Sequence, residues 1–312
     1  MAVKVVVGID TSNYTTSCAI CDMDGVIVEN YKVLLPVKDG ENGLRQSDAV
    51  FAHVKNFQTI SEKIKEKHAD YEIVAVGYSA YPRDAEGSYM PCFLVGKAVA
   101  EMISALYGIP SVACSHQAGH IQAAIYSSGF VPVGKFIAFH VSGGTTEILL
   151  VNPKDKGFDI EIVGSSVDLH AGQAIDRIGV MMGMKFPCGK AIEDSAMNNK
   201  NKIPPVKTCV RGYSCNLSGL ENLATRLFLE TKNVSLVSAY TLEFISKTIT
   251  EITENLRRDY PDASIVYAGG VMSNRIIQNN LRKRFAKVYF AEPQFSADNA
   301  AGVSLITRKN LI

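Results

Sequence analysis

The chain has 312 residues, 47% of them hydrophobic and 20% charged, so it can bury a large core and does not read as a disordered segment. That length favours two packed units. With 32 basic and 31 acidic side chains nearly cancelling, a global positive field is excluded, and a nucleic-acid partner would need a local basic patch.

The N-terminal residues Val3 to Val7 run straight into a strand, without the charged and long apolar regions of a signal peptide. No apolar run reaches the roughly 18 residues of a membrane helix. Seven cysteines is an odd number, which argues against a disulfide framework. A cytoplasmic protein without a membrane partner is expected. Cys18 and Cys21 form a lone C-x-x-C, but odd spacing in a strand sends the two side chains to opposite faces, against a metal or redox role.

The first elements read as a strand from Val5 to Ile9, a polar turn from Asp10 to Ser17, and a strand from Cys18 to Cys21. Asp24-Gly25 closes a hairpin into a third strand, Val26 to Leu34. A helix is expected from about Ser47 to Lys67, then a buried strand, Ile73 to Val76. Val95, Val99, Met102 and Leu106 recur at helical spacing, and Gly108-Ile109-Pro110 stops that helix. A short strand follows, Val112 to Cys114, with Ser115 placed to cap a helix carrying His116 and His120.

The pattern then restarts. Phe136 to Val141 is a strand, Ser142-Gly143-Gly144-Thr145-Thr146 a tight turn, Glu147 to Val151 a returning strand, and Ile160 to Val163 a third. Two hairpins with turns rich in Gly, Ser and Thr suggest one unit used twice, since such turns can cradle phosphate oxygens. Amphipathic helices are expected over Leu217 to Glu230 and Ser238 to Arg257. The strand Ser264 to Ala268 ends in Gly269-Gly270 before a helix, which lets backbone approach a ligand closely. The last strand is Lys287 to Ala291, and a final helix begins near Ser296 to Asn299.

His116-Gln117-Ala118-Gly119-His120 sets two imidazoles at i and i+4, one turn apart on one helix face, the spacing of a bidentate metal clamp. Such pairs also occur as plain surface or core histidines. Here the chain holds only six histidines and the pair opens a helix directly after a buried strand. A carboxylate is needed as third ligand. H-E-x-x-H metalloproteases share the spacing, but Gln117 stands where their general base would be, and a neutral amide cannot take a proton, which argues against an endopeptidase.

The His116 to His120 motif, Val141 to Glu147, Gly269 to Asn274 and Ser296 to Ala301 occur in this order along the chain. As a set they resemble the tRNA threonylcarbamoyladenosine synthase family, long labelled O-sialoglycoprotein endopeptidase, over nearly the whole chain. The resemblance implies an α/β, actin-like (ASKHA), duplicated two-lobed fold with a nucleotide cleft between the lobes. Lobe I would cover 1–125 with a C-terminal helix, 297–312, packed back on it. Lobe II would cover 126–296, with a helical insertion at about 170–258.

The same resemblance implies an acyltransferase that moves a threonylcarbamoyl group from threonylcarbamoyl-AMP to adenosine of tRNA with the help of a metal. His116, His120 and Asp298 would hold one divalent cation, Fe2+ or Zn2+, although Asp298 is also well placed as a plain helix N-cap. The implied nucleotide and substrate contacts are Ser142, Gly143, Gly144, Thr145, Thr146, Asp176, Gly189, Glu193, Gly269, Gly270 and Asn274. An adenine nucleotide (ATP, AMP or the acyl-adenylate), with Mg2+ accompanying it, tRNA, and helper protein subunits complete the expectation. Asp10 and Ser12 of the first turn are the candidate catalytic groups.

The chain departs from the family's pattern in places, as a divergent paralogue would. The family's first turn reads E-T-S-C-D-D/E-T-S, whereas Asn13, Tyr14 and Thr15 stand here without the acidic pair. The glycine-rich segment before the metal helix is replaced by Tyr81 to Pro91, Thr145 stands for the second turn's His or Asn, and S-G-L-K-T becomes Ser218-Gly219-Leu220-Glu221-Asn222. Two alternatives stay open: a nucleotide-binding regulatory or scaffold subunit, and a carbamoyltransferase acting on a small molecule.

Overall fold

A run of β-branched residues at the N-terminus makes β1 (Val3–Thr11) the centre of the first sheet. The computed structural model describes residues 2–12, 14–36, 44–67 and 70–312; Asn13 of the first turn lies outside the described residues. The chain divides into two compact units. One comprises Met1–Tyr126, Pro153–Asp159 and Asp298–Ile312, and the other Ser127–Asn152 and Ile160–Ala297.

In the first unit β1 is followed by β2 (Thr15–Asp22), β3 (Ile27–Leu34), α1 (Gln46–Lys65), β4 (Tyr71–Tyr81), α2 (Phe93–Tyr107), β5 (Ser111–Ser115) and α3 (His116–Ser128). The sheet order is β3-β2-β1-β4-β5, antiparallel from β1 to β3 and parallel from β1 to β5. Val7, Ile9, Cys18, Val76 and Tyr78 bury one face of this sheet with Ile60 of α1 and Ala100 of α2. The helix break expected at Gly108 holds, because that residue takes the left-handed φ of 62° that ends α2.

The first turn is shorter than the sequence suggests, since β1 runs to Thr11 and β2 starts at Thr15. Its polar side chains are buried hydrogen-bonding groups and not solvent ligands. Thr11 Oγ1 donates to the Cys92 carbonyl at 3.0 Å, and Thr16 Oγ1 meets Nδ1 of His53 at 2.8 Å. Cys18 and Cys21 are both buried, and burial pushes both thiols up to about 12, so neither offers a ready thiolate.

The second unit repeats the plan with β6 (Phe136–Val141), β7 (Thr146–Lys154) and β8 (Gly157–Ser165). There follow α4 (Ala171–Met181), α5 (Gly189–Met197), the small hairpin β9 (Cys209–Arg211) and β10 (Ser214–Asn216), α6 (Ser218–Thr231) and α7 (Val234–Asp259). Last come β11 (Ile265–Ala268), a 3-10 turn (Gly270–Ser273), α8 (Arg275–Arg284), β12 (Val288–Phe290) and the short α9 (Pro293–Ser296). Read from its edge, the sheet runs β8-β7-β6-β11-β12, the same third-second-first-fourth-fifth order as the first. As there, the first hairpin is antiparallel and the later pairings parallel.

The final helix, α10 (Ala301–Lys309), starts later than the sequence suggests and packs on β1, β2 and β4 of the first unit. Two glycines make room for it. A Cβ on Gly8 would lie 2.5 Å from the Ser304 nitrogen, and one on Gly77 only 1.7 Å from Thr307 Oγ1. Among the described residues no helix is long and apolar enough to cross a membrane.

Candidate functional site

The histidine pair owes its place to a strand that runs into a helix without a loop, β5 into α3. Ser115 ends the strand and caps the helix, accepting the Ala118 N–H at 3.0 Å, as its position in the sequence suggests. The i, i+4 spacing brings Nε2 of His116 and Nε2 of His120 to 3.0 Å. Asp298 Oδ1 lies 3.2 Å from His120 Nε2 and 3.8 Å from His116 Nε2. Two donor atoms each about 2.1 Å from one cation, near a right angle, stand about 3 Å apart, so the three groups fit a single ion.

Asp298 belongs to the loop before α10 and is not its cap; Asn299 does that work, with Oδ1 accepting the Ala301 N–H at 3.1 Å. The helices α3 and α10 converge because both carry glycine at their crossing. A Cβ on Gly302 would meet the Gly119 carbonyl oxygen at 1.8 Å, and one on Gly119 would press Val303 at 3.3 Å. Gly119 sits between the two histidines, so this close crossing sets the distance between them and Asp298.

Behind the pair stands a buried acid. Asp10 is 1% exposed, and its Oδ1 is 2.9 Å from Nδ1 of His116. A carboxylate on the far nitrogen fixes the ring and leaves Nε2 to face outward, the arrangement that backs metal-ligating histidines. Burial alone would raise the Asp10 carboxyl, but the charge and hydrogen bond of His116, joined by Ser79, hold it below its usual value. Burial likewise works to lower His116, and the charge and hydrogen bond of Asp10, then Asp298, outweigh it and push the imidazole up to about 9. Asp10 therefore sits inside β1 as a partner of His116, and not in an open turn; Ser12, its fellow candidate, is 3% exposed. Gln117, where a metalloprotease would carry its base, is buried, and its backbone N–H donates to the Pro82 carbonyl at 3.0 Å.

In the second unit the turn from Ser142 to Thr146 joins β6 to β7. The Ser142 N–H closes it onto the Thr145 carbonyl at 2.7 Å, and Gly143 and Gly144 are exposed. The turn also ties down α4: Thr146 Oγ1 accepts the Ala171 N–H at 2.9 Å and the Ser142 carbonyl accepts the Gly172 N–H at 3.0 Å. Gly172 and Gly269 let this backbone crowd together, since a Cβ on Gly172 would reach the Gly143 nitrogen at 2.6 Å. Gly269, at φ 98°, would place a Cβ 2.2 Å from the Val141 carbonyl. Gly270 opens the 3-10 turn that leads to Asn274, which caps α8 by accepting the Ile276 and Ile277 N–H groups.

The remaining candidates each have a structural partner. Glu193 is buried, and its Oε1 accepts the Arg275 N–H at 2.7 Å, bringing α5 to the start of α8. Asp176 Oδ1 accepts the Cys188 N–H at 2.7 Å, next to Gly189 at the start of α5, and burial raises this carboxyl. Glu221, the reversed charge of the Ser218 to Asn222 segment, pairs with Arg177 at 3.2 Å. Asp168 was not singled out by sequence. It takes the Leu217 and Ser218 N–H groups at 2.8 and 3.2 Å and so anchors that segment, which no local spacing announces.

Comparison with known proteins places these features in a family. A sequence model of tRNA N6-adenosine threonylcarbamoyltransferase matches residues 46–305, beginning after the first hairpin. The chain is 26% identical over 318 residues to the tRNA N6-adenosine threonylcarbamoyltransferase of Carboxydothermus hydrogenoformans, covering 96% of this chain and 90% of that one. To the Archaeoglobus fulgidus protein of the same name it is 25% identical over 304 residues, covering 96% and 89%. Among solved structures it is similar to the activator of 2-hydroxyisocaproyl-CoA dehydratase from Clostridium difficile with bound ADPNP. The TM-score is 0.58 at 14% identity, covering 98% of this chain and 95% of that one. That likeness shows the fold, a two-lobed α/β fold of the actin-like class.

Proposed function

The chain belongs to the tRNA N6-adenosine threonylcarbamoyltransferase family of transferases, and from that premise we propose that it moves a threonylcarbamoyl group from threonylcarbamoyl-AMP to an adenosine of tRNA. The observation that carries the reading is the convergence of His116, His120 and Asp298 on one point, with Asp10 behind, in a chain of this family. In this reaction the exocyclic amine nitrogen bonds to the carbamoyl carbon, the bond from that carbon to the phosphate oxygen breaks, AMP leaves and a proton is released.

His116 Nε2, His120 Nε2 and Asp298 Oδ1 would hold a divalent cation, a donor set that suits Fe2+ or Zn2+. Bound there, the cation supplies Lewis-acid polarisation and a template for substrate oxygens. Asp10 serves as a positioning residue, keeping His116 in the tautomer and orientation that presents Nε2.

The second unit is proposed to bind the adenylate. The exposed backbone of Gly143 and Gly144, with Thr145 and the Gly269-Gly270 step, offers donors to phosphoryl oxygens. Asp176 and Glu193 each keep one carboxylate oxygen beyond the backbone bond already described, which suits ribose hydroxyls. Asn274 and Gly189 complete that set, and Mg2+ accompanies the nucleotide. The tRNA acceptor and helper protein subunits follow from the family.

Incubating the purified protein, alone and with helper subunits of the family, with threonylcarbamoyl-AMP and unmodified tRNA tests the reading. Nucleoside analysis should show threonylcarbamoyladenosine. Its absence with helpers present would refute the assignment.

A further inference from the structure

Lys32 has no place in the machinery described so far, yet the register of the first sheet puts it in line with that machinery. Lys32 on β3 pairs with Ser17 on β2, and Ser17 pairs with Asp10 on β1. In-register residues on antiparallel neighbours send their side chains to the same face, so Lys32 shares the face of Asp10. That is the face on which α10 packs, because Gly8, two residues before Asp10, abuts Ser304. Asp298 stands just before α10, and its field reaches the ammonium: burial lowers the pKa of Lys32 and the charge of Asp298 works against that lowering.

The charges around the histidine pair give this placement a purpose. Two neutral imidazoles and the carboxylates of Asp10 and Asp298 would leave a bound divalent cation with no net charge. Lys32 adds one positive charge to that balance, and a surplus of that sign suits an anion. Half-buried on an edge strand, the ammonium has an aliphatic stem to pack and a head free of a fixed position.

We propose that Lys32 is an anion-binding residue of the metal site, its ammonium taking an anionic oxygen of the acyl-adenylate, either on the phosphoryl group or on the threonyl carboxylate. The inference rests on the transferase reading above and adds to it a residue for substrate binding.

Calorimetry on the metal-loaded protein separates the two sources. AMP carries the phosphate without the threonyl carboxylate, and N-carbamoyl-threonine carries the carboxylate without the phosphate. Lys32→Met keeps the stem and removes the charge; Lys32→Arg keeps the charge. For one of the two probes, Lys32→Met should weaken binding about 10- to 100-fold, the usual cost of one charge-assisted bond, and Lys32→Arg should recover most of it. Which probe weakens assigns the oxygen. Unchanged affinity for both probes, with wild-type binding measured, overturns the proposal. Loss of metal from Lys32→Met overturns it too, since Lys32 would then serve only as a partner of Asp298. If the wild type binds neither probe, the transferase reading itself fails and this inference falls with it.

Discussion

The carboxylate of Asp10 meets Nδ1 of His116 at 2.9 Å across 106 residues of sequence, joining the central strand of one sheet to the helix that carries the histidine pair. An outer carboxylate of this kind orients the ring and raises its basicity as a ligand. Asp10→Ala should therefore lower divalent-metal affinity about 10- to 100-fold, although Asp10 supplies none of the three converging donor atoms. Competition against a chromophoric chelator measures it. Unaltered affinity would reduce Asp10 to a structural acid.

A paired comparison separates ligand from cap at the start of α10. Asp298→Asn removes a charged donor while leaving the Asn299 cap in place, so metal content should fall with little change in Tm. Asn299→Ala should do the opposite, costing about 1 kcal/mol of stability and leaving the ligand set complete. Elemental analysis with thermal unfolding reads both. Equal metal content in wild type and Asp298→Asn would remove the carboxylate from the site.

These two cases show what the sequence could and could not say. The histidine pair was legible because i, i+4 spacing is a local property of one helix, and Ser115 announced its start. The repeated strand–turn–strand pattern likewise made the duplicated fold legible, down to β6, whose bounds agree with expectation. Asp298 was ambiguous, because Ser296, Asp298 and Asn299 are all cap-forming residue types and only the geometry chooses Asn299. Asp10 was misplaced into a turn, since a buried row of hydrogen-bonded Thr and Ser has the composition of a solvent loop. The Gly119–Gly302 crossing left no local signal at all, for each glycine acquires its meaning from a helix far away in sequence.

Asp168 gives a pH-dependent test outside the metal site. Burial works to raise its carboxyl, but the Ser218 hydroxyl, the Leu217 and Leu169 N–H groups and Asn216 outweigh it and hold it well below the usual carboxylate range. A depressed folded-state pKa stabilises the fold above the unfolded value of about 3.9 and loses that effect as pH falls through the folded value. Asp168→Asn should thus cost about 1 kcal/mol at neutral pH, kept small because the group is exposed and screened. The gap to wild type should narrow in acid. Denaturant unfolding at neutral and acid pH follows it, and a gap that stays constant would mean the residue acts by shape alone.

The last test concerns the turn proposed to meet phosphate, where two glycines nearly in contact have opposite surroundings. A Cβ on Gly143 would find nothing within 4 Å, whereas one on Gly172 would strike the Gly143 backbone at 2.6 Å and the Ser142 carbonyl carbon at 2.7 Å. Gly172→Ala must push the turn and α4 apart, at a cost of about 1–3 kcal/mol, because backbone cannot swing away as a long side chain can. Gly143→Ala should leave Tm within about a degree or two of wild type, since the methyl enters open space. If the exposed face of the turn receives phosphoryl oxygens, that same methyl stands where the ligand approaches, and AMP affinity should drop about tenfold in a fully folded protein. Calorimetry with AMP decides it. A Gly143→Ala variant that keeps both its Tm and its AMP affinity would move the phosphate contact off this turn, leaving Gly269-Gly270 as the backbone step able to make it.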